Sequence, residues 1–249
     1  MKGCFITATG TGSGKTILTA ALLRALTEQN RRALAAKPVQ TGGLLSDRSP
    51  ANPLDLRVYQ QANPALYENL GDGAVSPFCF SEPCSPHLAA RLDDRPAARV
   101  EAIVEHMEIL QERCDFLLVE GAGGIRVPLN PEETMLELAL ALDMPILVVV
   151  DNRLGAINHA LLTLECLQKT NATLLGIVVN HPSRPTAEEE ILRQDNPRII
   201  RHFSGVPILA EIPYLKDFSK GSLSHWQKIS RLLKPVAELL CGTSPRTPE

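Results

Sequence analysis

The sequence predicts an α/β fold: a parallel β-sheet with helices on both faces, built as a single domain. Three observations carry that reading. Short, nearly continuous apolar runs alternate with helical patterns along the chain, as they do in sheets covered on both sides. A glycine-rich stretch ending in Gly14-Lys15-Thr16 joins the first apolar run to the first helical pattern. A later run ends in a carboxylate, Glu120, followed by more glycines. Open α/β sheets bind their ligands beyond the carboxyl ends of the strands, and each of these motifs falls at such an end.

In chain order, residues 4–9 read as the first strand and 16–29 as the first helix. A second apolar run, 33–39, reads as a strand ending near Lys37. Residues 42–53 are rich in Gly, Ser and Pro and read as a mobile loop. The series continues with a helix over 99–113, a strand over 116–120, a helix over 134–142 and a strand over 146–150. A helix over 157–169, a strand over 174–180, a helix over 187–202 and a strand over 206–212 complete it. Towards the C-terminus, Trp226, Ile229, Leu233, Val236 and Leu240 form an apolar stripe at helical spacing, read as core-facing. Residues 1–241 make up the expected domain and 242–249 a disordered tail.

At 249 residues with 44% hydrophobic content, the chain can bury a sizeable core within one α/β domain. A net charge of -3 gives no reason to expect nucleic acid, and an aromatic content of 4% argues against a base-stacking platform. The six cysteines form no CxxC pair, which suits reduced, packed thiols in a cytoplasmic protein. No apolar run is long enough to span a membrane, and the one at residues 3–7 is too short for a signal peptide.

The stretch Ala8-Thr9-Gly10-Thr11-Gly12-Ser13-Gly14-Lys15-Thr16 has the chemistry of a P-loop, which makes the fold P-loop NTPase-like. Its glycines let successive N–H groups turn inward around phosphate, and the helix N-terminus adds favourable partial charge. Lys15 would reach the outer phosphates and the Thr16 hydroxyl would hold Mg²⁺. The commonest P-loop spacing puts glycine at position 9, where this chain has Thr9. Glu120, ending a strand, would bind the same Mg²⁺. Lys37 stands at a strand mouth, and before Lys169 the only other lysines are Lys2 and Lys15. A point charge there suits an anionic reacting group, and Thr41 can add a hydroxyl donor.

Asp55 follows Asn52-Pro53-Leu54, read as the third residue of a helix whose N-cap is Asn52 and whose first residue is Pro53. An acid there is stabilised by the helix dipole and needs no function, so a structural and a functional reading both stand. Asn180 ends its strand, where an amide can read a nucleobase edge. The guanine-reading Asn-Lys-x-Asp pattern does not follow it, since the chain continues His181-Pro182-Ser183. Ser85-Pro86-His87 and Gly155-Ala156-Ile157-Asn158-His159 read as helix starts, with both histidines structural.

Together these residues resemble dethiobiotin synthetases. That family shows a P-loop of this variant kind, then K-P-V-x-[ST]-G, an early Asp, S-P-H, V-E-G-A-G-G, L-G-x-I-N-H-A-L-L-T, a strand ending in Asn, and E-I-P-x-L. The chain carries them in that order: residues 9–16, 37–42, Asp55, 85–87, 119–124, 154–163, Asn180 and 211–215. Two positions depart: Ala8 stands where the family usually has glycine, and Gly12 where some members carry glutamate.

The resemblance implies ATP-dependent closure of a ureido ring on 7,8-diaminononanoate, with CO₂ or bicarbonate as the carbon source and dethiobiotin, ADP and phosphate as products. One amine would capture CO₂ as a carbamate, the carbamate would take the γ-phosphoryl group to give a carbamic–phosphoric anhydride, and the second amine would close the ring. It further implies that Thr11, Lys15 and Lys37 are catalytic, and that Thr16, Asp55 and Glu120 hold Mg²⁺. Gly12, Ser13, Gly14, Lys15, Thr16, Asn180 and Pro213 would bind the nucleotide. Thr11, Lys37, Thr41, Gly123 and Asn158 would bind the substrate, at the interface of a homodimer. Two rivals share the fold. A partitioning or septum-positioning ATPase usually carries a further lysine early in its loop, where this chain has Gly10-Thr11-Gly12. A cobyrinate-type synthetase usually carries an added glutaminase domain, for which no length remains.

Overall fold

The structure is a computed structural model that describes residues 1–42, 54–67, 70, 72–216 and 222–242. β1 (Gly3–Ala8) runs through a glycine-rich loop into α1 (Lys15–Thr27), followed by β2 (Ala33–Ala36) and β3 (Val39–Thr41). Next come α2 (Leu54–Ala62), α3 (Pro64–Tyr67), α4 (Asp72–Val75), β4 (Phe78–Phe80), α5 (Pro86–Leu92) and α6 (Val100–Gln111). β5 (Phe116–Glu120), α7 (Met135–Leu142), β6 (Ile146–Asp151), α8 (Ala156–Gln168) and β7 (Leu174–Asn180) follow. α9 (Ala187–Ser204), β8 (Ile208–Ile212) and α10 (Leu223–Leu240) complete the described chain.

Six strands form one sheet in the order β2-β5-β1-β6-β7-β8, parallel throughout. Every residue of β1, β2, β5 and β6 is buried, which follows from their lack of polar alternation: with helices on both faces, neither side of a central strand meets water. α1 packs against β1, β2 and β5 and against α2 and α10, while α6 packs on α7 and α8 on α9. α7 and α9 start in capping boxes, Thr134 with Glu137 and Thr186 with Glu189; each box satisfies N–H groups that the first helical turn leaves open. All six cysteines are free, with Cys4 and Cys114 buried.

The apolar run at 33–39 is two strands rather than one. β2 leaves the main sheet after Ala36, and β3 pairs in parallel with β4 in a separate two-stranded sheet. Pro38 has no N–H to continue the ladder, and the surrounding groups draw the backbone away: Lys37 N donates to Val75 O at 2.9 Å and Phe78 N to Pro38 O at 3.0 Å. Lys37 is thereby set just past the strand mouth. The last strand begins at Ile208 rather than 206. Of the sequence expectations, the loop at 42–53 falls outside the described residues apart from Gly42. So do the Asn52–Pro53 cap and the tail beyond Gly242.

The C-terminal stripe is core. Trp226, Ile229, Leu233 and Val236 are each 1% exposed or less, on a helix packed against α1 and β8. Among the described residues no helix is long and apolar enough to cross a membrane.

Candidate active site

β1 lies between β5 and β6, so the loop that leaves its carboxyl end sits in the middle of the sheet mouth. Gly14 caps α1 with φ 95°, and among the described residues no side-chain cap closes the helix N-terminus. The first-turn N–H groups of α1 are therefore left without a side-chain acceptor, the arrangement that binds an anion. Only glycine serves at position 14: the backbone is left-handed, and a Cβ would stand 2.3 Å from Asn180 Nδ2. The loop is braced from within and from across the sheet. Ser13 Oγ and Lys15 Nζ both donate to Gly10 O, at 3.0 and 3.1 Å, and Asn180 Nδ2 donates to Ser13 O at 3.0 Å.

Below the loop, three chain segments converge. The Thr16 hydroxyl of α1 lies 2.7 Å from Asp55 Oδ1 of α2 and 2.9 Å from Glu120 Oε1 of β5. A hydroxyl has one proton and can donate to only one of these oxygens at a time. Two carboxylates and a hydroxyl gathered at this range form a set of hard oxygen donors suited to Mg²⁺, which takes a few protein oxygens and completes its shell with phosphate and water. Lys37 Nζ supplies the counter-charge, paired with Asp55 Oδ2 and lying 3.4 Å from Glu120 Oε1. Tyr59 Oη, also on α2, donates to Glu120 Oε2 at 2.6 Å.

The two lysines differ in environment. Burial works against a charged Lys37, but Glu120 and Asp55 outweigh it and hold its pKa above the ordinary value. Burial pulls Lys15 down to about 8; Glu120 and Asp55 oppose the shift and Lys37 adds to it. Lys15 is thus an ammonium in want of an anion, held on the carbonyl of Gly10.

These groups line one cleft of about 560 Å³. Thr11, Gly12, Gly14, Lys15, Thr16, Lys37, Thr41, Asp55, Glu120 and Gly123 all border it. Gly123 has φ 66°, and a Cβ there would meet Val127 Cγ2 at 2.7 Å, so the glycine run after Glu120 lets the wall fold tightly. Across Gly12 and Gly14 lies a second hollow of about 210 Å³, bordered by Asn180, Pro213, Tyr214, Ile17 and Leu215. Asn158 is not brought to either hollow. It is exposed on the first turn of α8, which begins at Gly155 with no side-chain cap. Neither His87 nor His159 borders them.

Sequence reasoning missed Tyr59, which bonds Glu120, and Gln40, Pro83 and Cys84 on the cleft wall; it singled out Ser85 and Pro86, which border the cleft, without giving them a site role. Tyr59 had a signal: four residues after Asp55, it shares that residue's face of α2. Gln40 is 5% exposed, with Nε2 donating to Thr41 O at 2.8 Å.

A family model described as an AAA domain matches residues 2–222. The ATP-dependent dethiobiotin synthetase BioD of Anoxybacillus flavithermus is 39% identical over 229 residues, covering 92% of this chain and 98% of that protein. The enzyme of the same description from Yersinia pestis bv. Antiqua is 35% identical over 232 residues, covering 93% of each chain. Among solved structures, the MinC:MinD cell division protein complex of Aquifex aeolicus aligns over 100% of this chain and 99% of that one, with TM-score 0.61 and 16% identity. The Pyrococcus furiosus cell division ATPase MinD aligns over 96% and 100%, with TM-score 0.57 and 19% identity. At that identity the likeness is one of fold.

Proposed function

The chain belongs to the dethiobiotin synthetase family, and we propose that it carboxylates 7,8-diaminononanoate with CO₂ and closes the ureido ring at the expense of ATP, giving dethiobiotin, ADP and phosphate. The observation that supports this most is the placement of two lysines and two carboxylates around Thr16 in one cleft. That is the charge pattern needed where two anions must be brought together.

The nucleotide would lie across Gly12 and Gly14, with its phosphates at the N-terminus of α1 and its base in the hollow bordered by Asn180 and Pro213. Ser13 and Gly14 would contribute backbone N–H groups to the phosphates. One Asn180 amide hydrogen is committed to Ser13 O; the second hydrogen and the carbonyl oxygen remain for a base edge. Thr16, Asp55 and Glu120 would hold Mg²⁺, which supplies charge neutralisation on the outer phosphates.

One substrate amine adds to CO₂ and loses a proton, leaving a carbamate. Carbamate and γ-phosphate repel each other, and Lys15 and Lys37 offset that repulsion where the two meet. Thr11 and Thr41, both on the cleft wall, would hydrogen-bond the carbamate and fix its line of attack. A carbamate oxygen then bonds to the γ-phosphorus as the bond to ADP breaks. The second amine attacks the carbamoyl carbon, loses its proton and expels phosphate, and the ring is closed.

The homodimer belongs to this proposal. Asn158 lies outside the cleft of its own chain, and Leu154 and Leu162 expose apolar side chains before and along α8, 85% and 58% accessible. A second copy seated there would cover them and bring its Asn158 towards a substrate held near Gly123. The proposed location is the cytoplasm.

The test is phosphate release from MgATP and bicarbonate, with and without 7,8-diaminononanoate. Release that requires the diamine, with dethiobiotin identified by mass spectrometry, is expected. Folded protein that binds ATP yet shows no stimulation by the diamine would leave a nucleotide-binding fold and remove the proposed reaction.

A further inference from the structure

Glu120 has two carboxylate oxygens with different partners. Oε1 faces Thr16 at 2.9 Å and Lys37 at 3.4 Å, towards the cleft. Oε2 faces away from them and accepts a hydrogen bond from Tyr59 Oη at 2.6 Å, in a fully buried pair. Glu120 is 1% exposed and Tyr59 likewise, so no water competes for Oε2. The hydroxyl is itself held in place: its ring stacks on Tyr67 with centroids 6.4 Å apart, and Tyr67 Oη is tied to the backbone of Ala35 in β2 at 3.2 Å. Asp55 and Tyr59 are one helical turn apart on α2, so one helix face supplies a carboxylate to Thr16 and a phenol to Glu120.

We propose that Tyr59 is a positioning residue for the divalent-cation site: its hydroxyl occupies Glu120 Oε2 and thereby presents Oε1 alone to the cation. The inference rests on the reading of Thr16, Asp55 and Glu120 as the Mg²⁺ site. The physical basis is that a buried carboxylate free to rotate offers either oxygen, or both, to a cation. One whose rear oxygen is committed to a strong donor offers a single oxygen in a fixed direction. Outer hydrogen bonds of this kind commonly govern metal affinity by 10–100-fold.

The experiment is Mn²⁺ binding followed by electron paramagnetic resonance in the presence of ADP, with Tyr59→Phe, Tyr67→Phe and the unaltered protein. Both substitutions keep the ring and its packing, and thermal melting checks that both variants are folded. Tyr59→Phe is expected to weaken Mn²⁺ binding by roughly 10-fold or more, and to raise the Mg²⁺ concentration for half-maximal turnover more than it lowers kcat at saturating Mg²⁺. Tyr67→Phe removes a phenol that does not touch Glu120 and keeps the ring that stacks on Tyr59, so it is expected to weaken Mn²⁺ binding far less than Tyr59→Phe. Equal Mn²⁺ affinity in Tyr59→Phe and the unaltered protein overturns the proposal and leaves the magnesium site standing. Equal weakening in both variants also overturns it, because the effect would then come from the packing of the two rings. Failure of the unaltered protein to hold Mn²⁺ with ADP removes the magnesium reading itself, and this inference with it.

Discussion

Asn180 donates from Nδ2 to the carbonyl of Ser13 at 3.0 Å, so the end of β7 braces the phosphate-binding loop that follows β1, two strands away. The brace depends on Gly14, because any Cβ at that position would occupy the space of the Asn180 amide.

Gly14→Ala is therefore expected to disturb both partners. A left-handed non-glycine residue costs about 1–3 kcal/mol, and displacing Asn180 removes a buried hydrogen bond. Urea unfolding should show the lower stability, and calorimetry should show ADP binding weakened by roughly 10-fold or more. Full ADP affinity in the variant would mean that the loop does not need this brace.

Lys37→Ala is expected to leave nucleotide binding nearly intact and to lower turnover by about 10²–10³, the usual loss for one electrostatic stabiliser of a reacting group. A loss of ATP affinity without a specific loss of turnover would instead make Lys37 a nucleotide ligand. The measurement is steady-state kinetics alongside equilibrium nucleotide binding.

Lys15 gives a pH signature. Burial, only partly offset by Glu120 and Asp55, pulls it down to about 8 in the folded chain against an ordinary value of 10.5. Between those values the unfolded chain binds more protons, so this group makes folding stability rise with pH across the window; below about 8 the cost of the buried charge is fully present. A bound phosphate favours the ammonium and restores the proton. Above pH 8, MgADP binding is accordingly expected to take up a proton, read by calorimetry in two buffers of different ionisation enthalpy. Identical heats in the two buffers would contradict the shift.

Trp226 is 1% exposed on a helix packed against α1. Trp226→Ala should cost about 3–5 kcal/mol of unfolding free energy. The unaltered protein should not sediment with liposomes in the presence of ATP, because the apolar stripe of α10 is already spent on the core. Sedimentation with ATP would favour a membrane-directed switch protein.

The main sheet was legible because its strands are unbroken apolar runs, and the phosphate loop because its glycines and lysine have few other uses in that context. Residues 33–39 misled because apolar character alone does not reveal that Pro38 ends the ladder and hands Val39 to another sheet. β4, three residues long, is too short to show a period. Asp55 was ambiguous in sequence, since an acid in the first turn of a helix explains itself; only the fold shows that its carboxylate also meets the Thr16 hydroxyl, at 2.7 Å. Tyr59 carried only a spacing, and its meaning depends on Glu120, sixty-one positions away in the chain.

Lys37 lies across both carboxylates of the site, which would make it a built-in competitor of any cation held there. A free divalent cation reaching Asp55 and Glu120 finds their charge already answered, and its entry would strand a buried ammonium. A cation that comes with a nucleotide brings the phosphates to which that ammonium can turn. On the proposed reading of the site, the pairing would favour loading of metal and nucleotide as one unit and would keep stray cations from filling the pocket in advance.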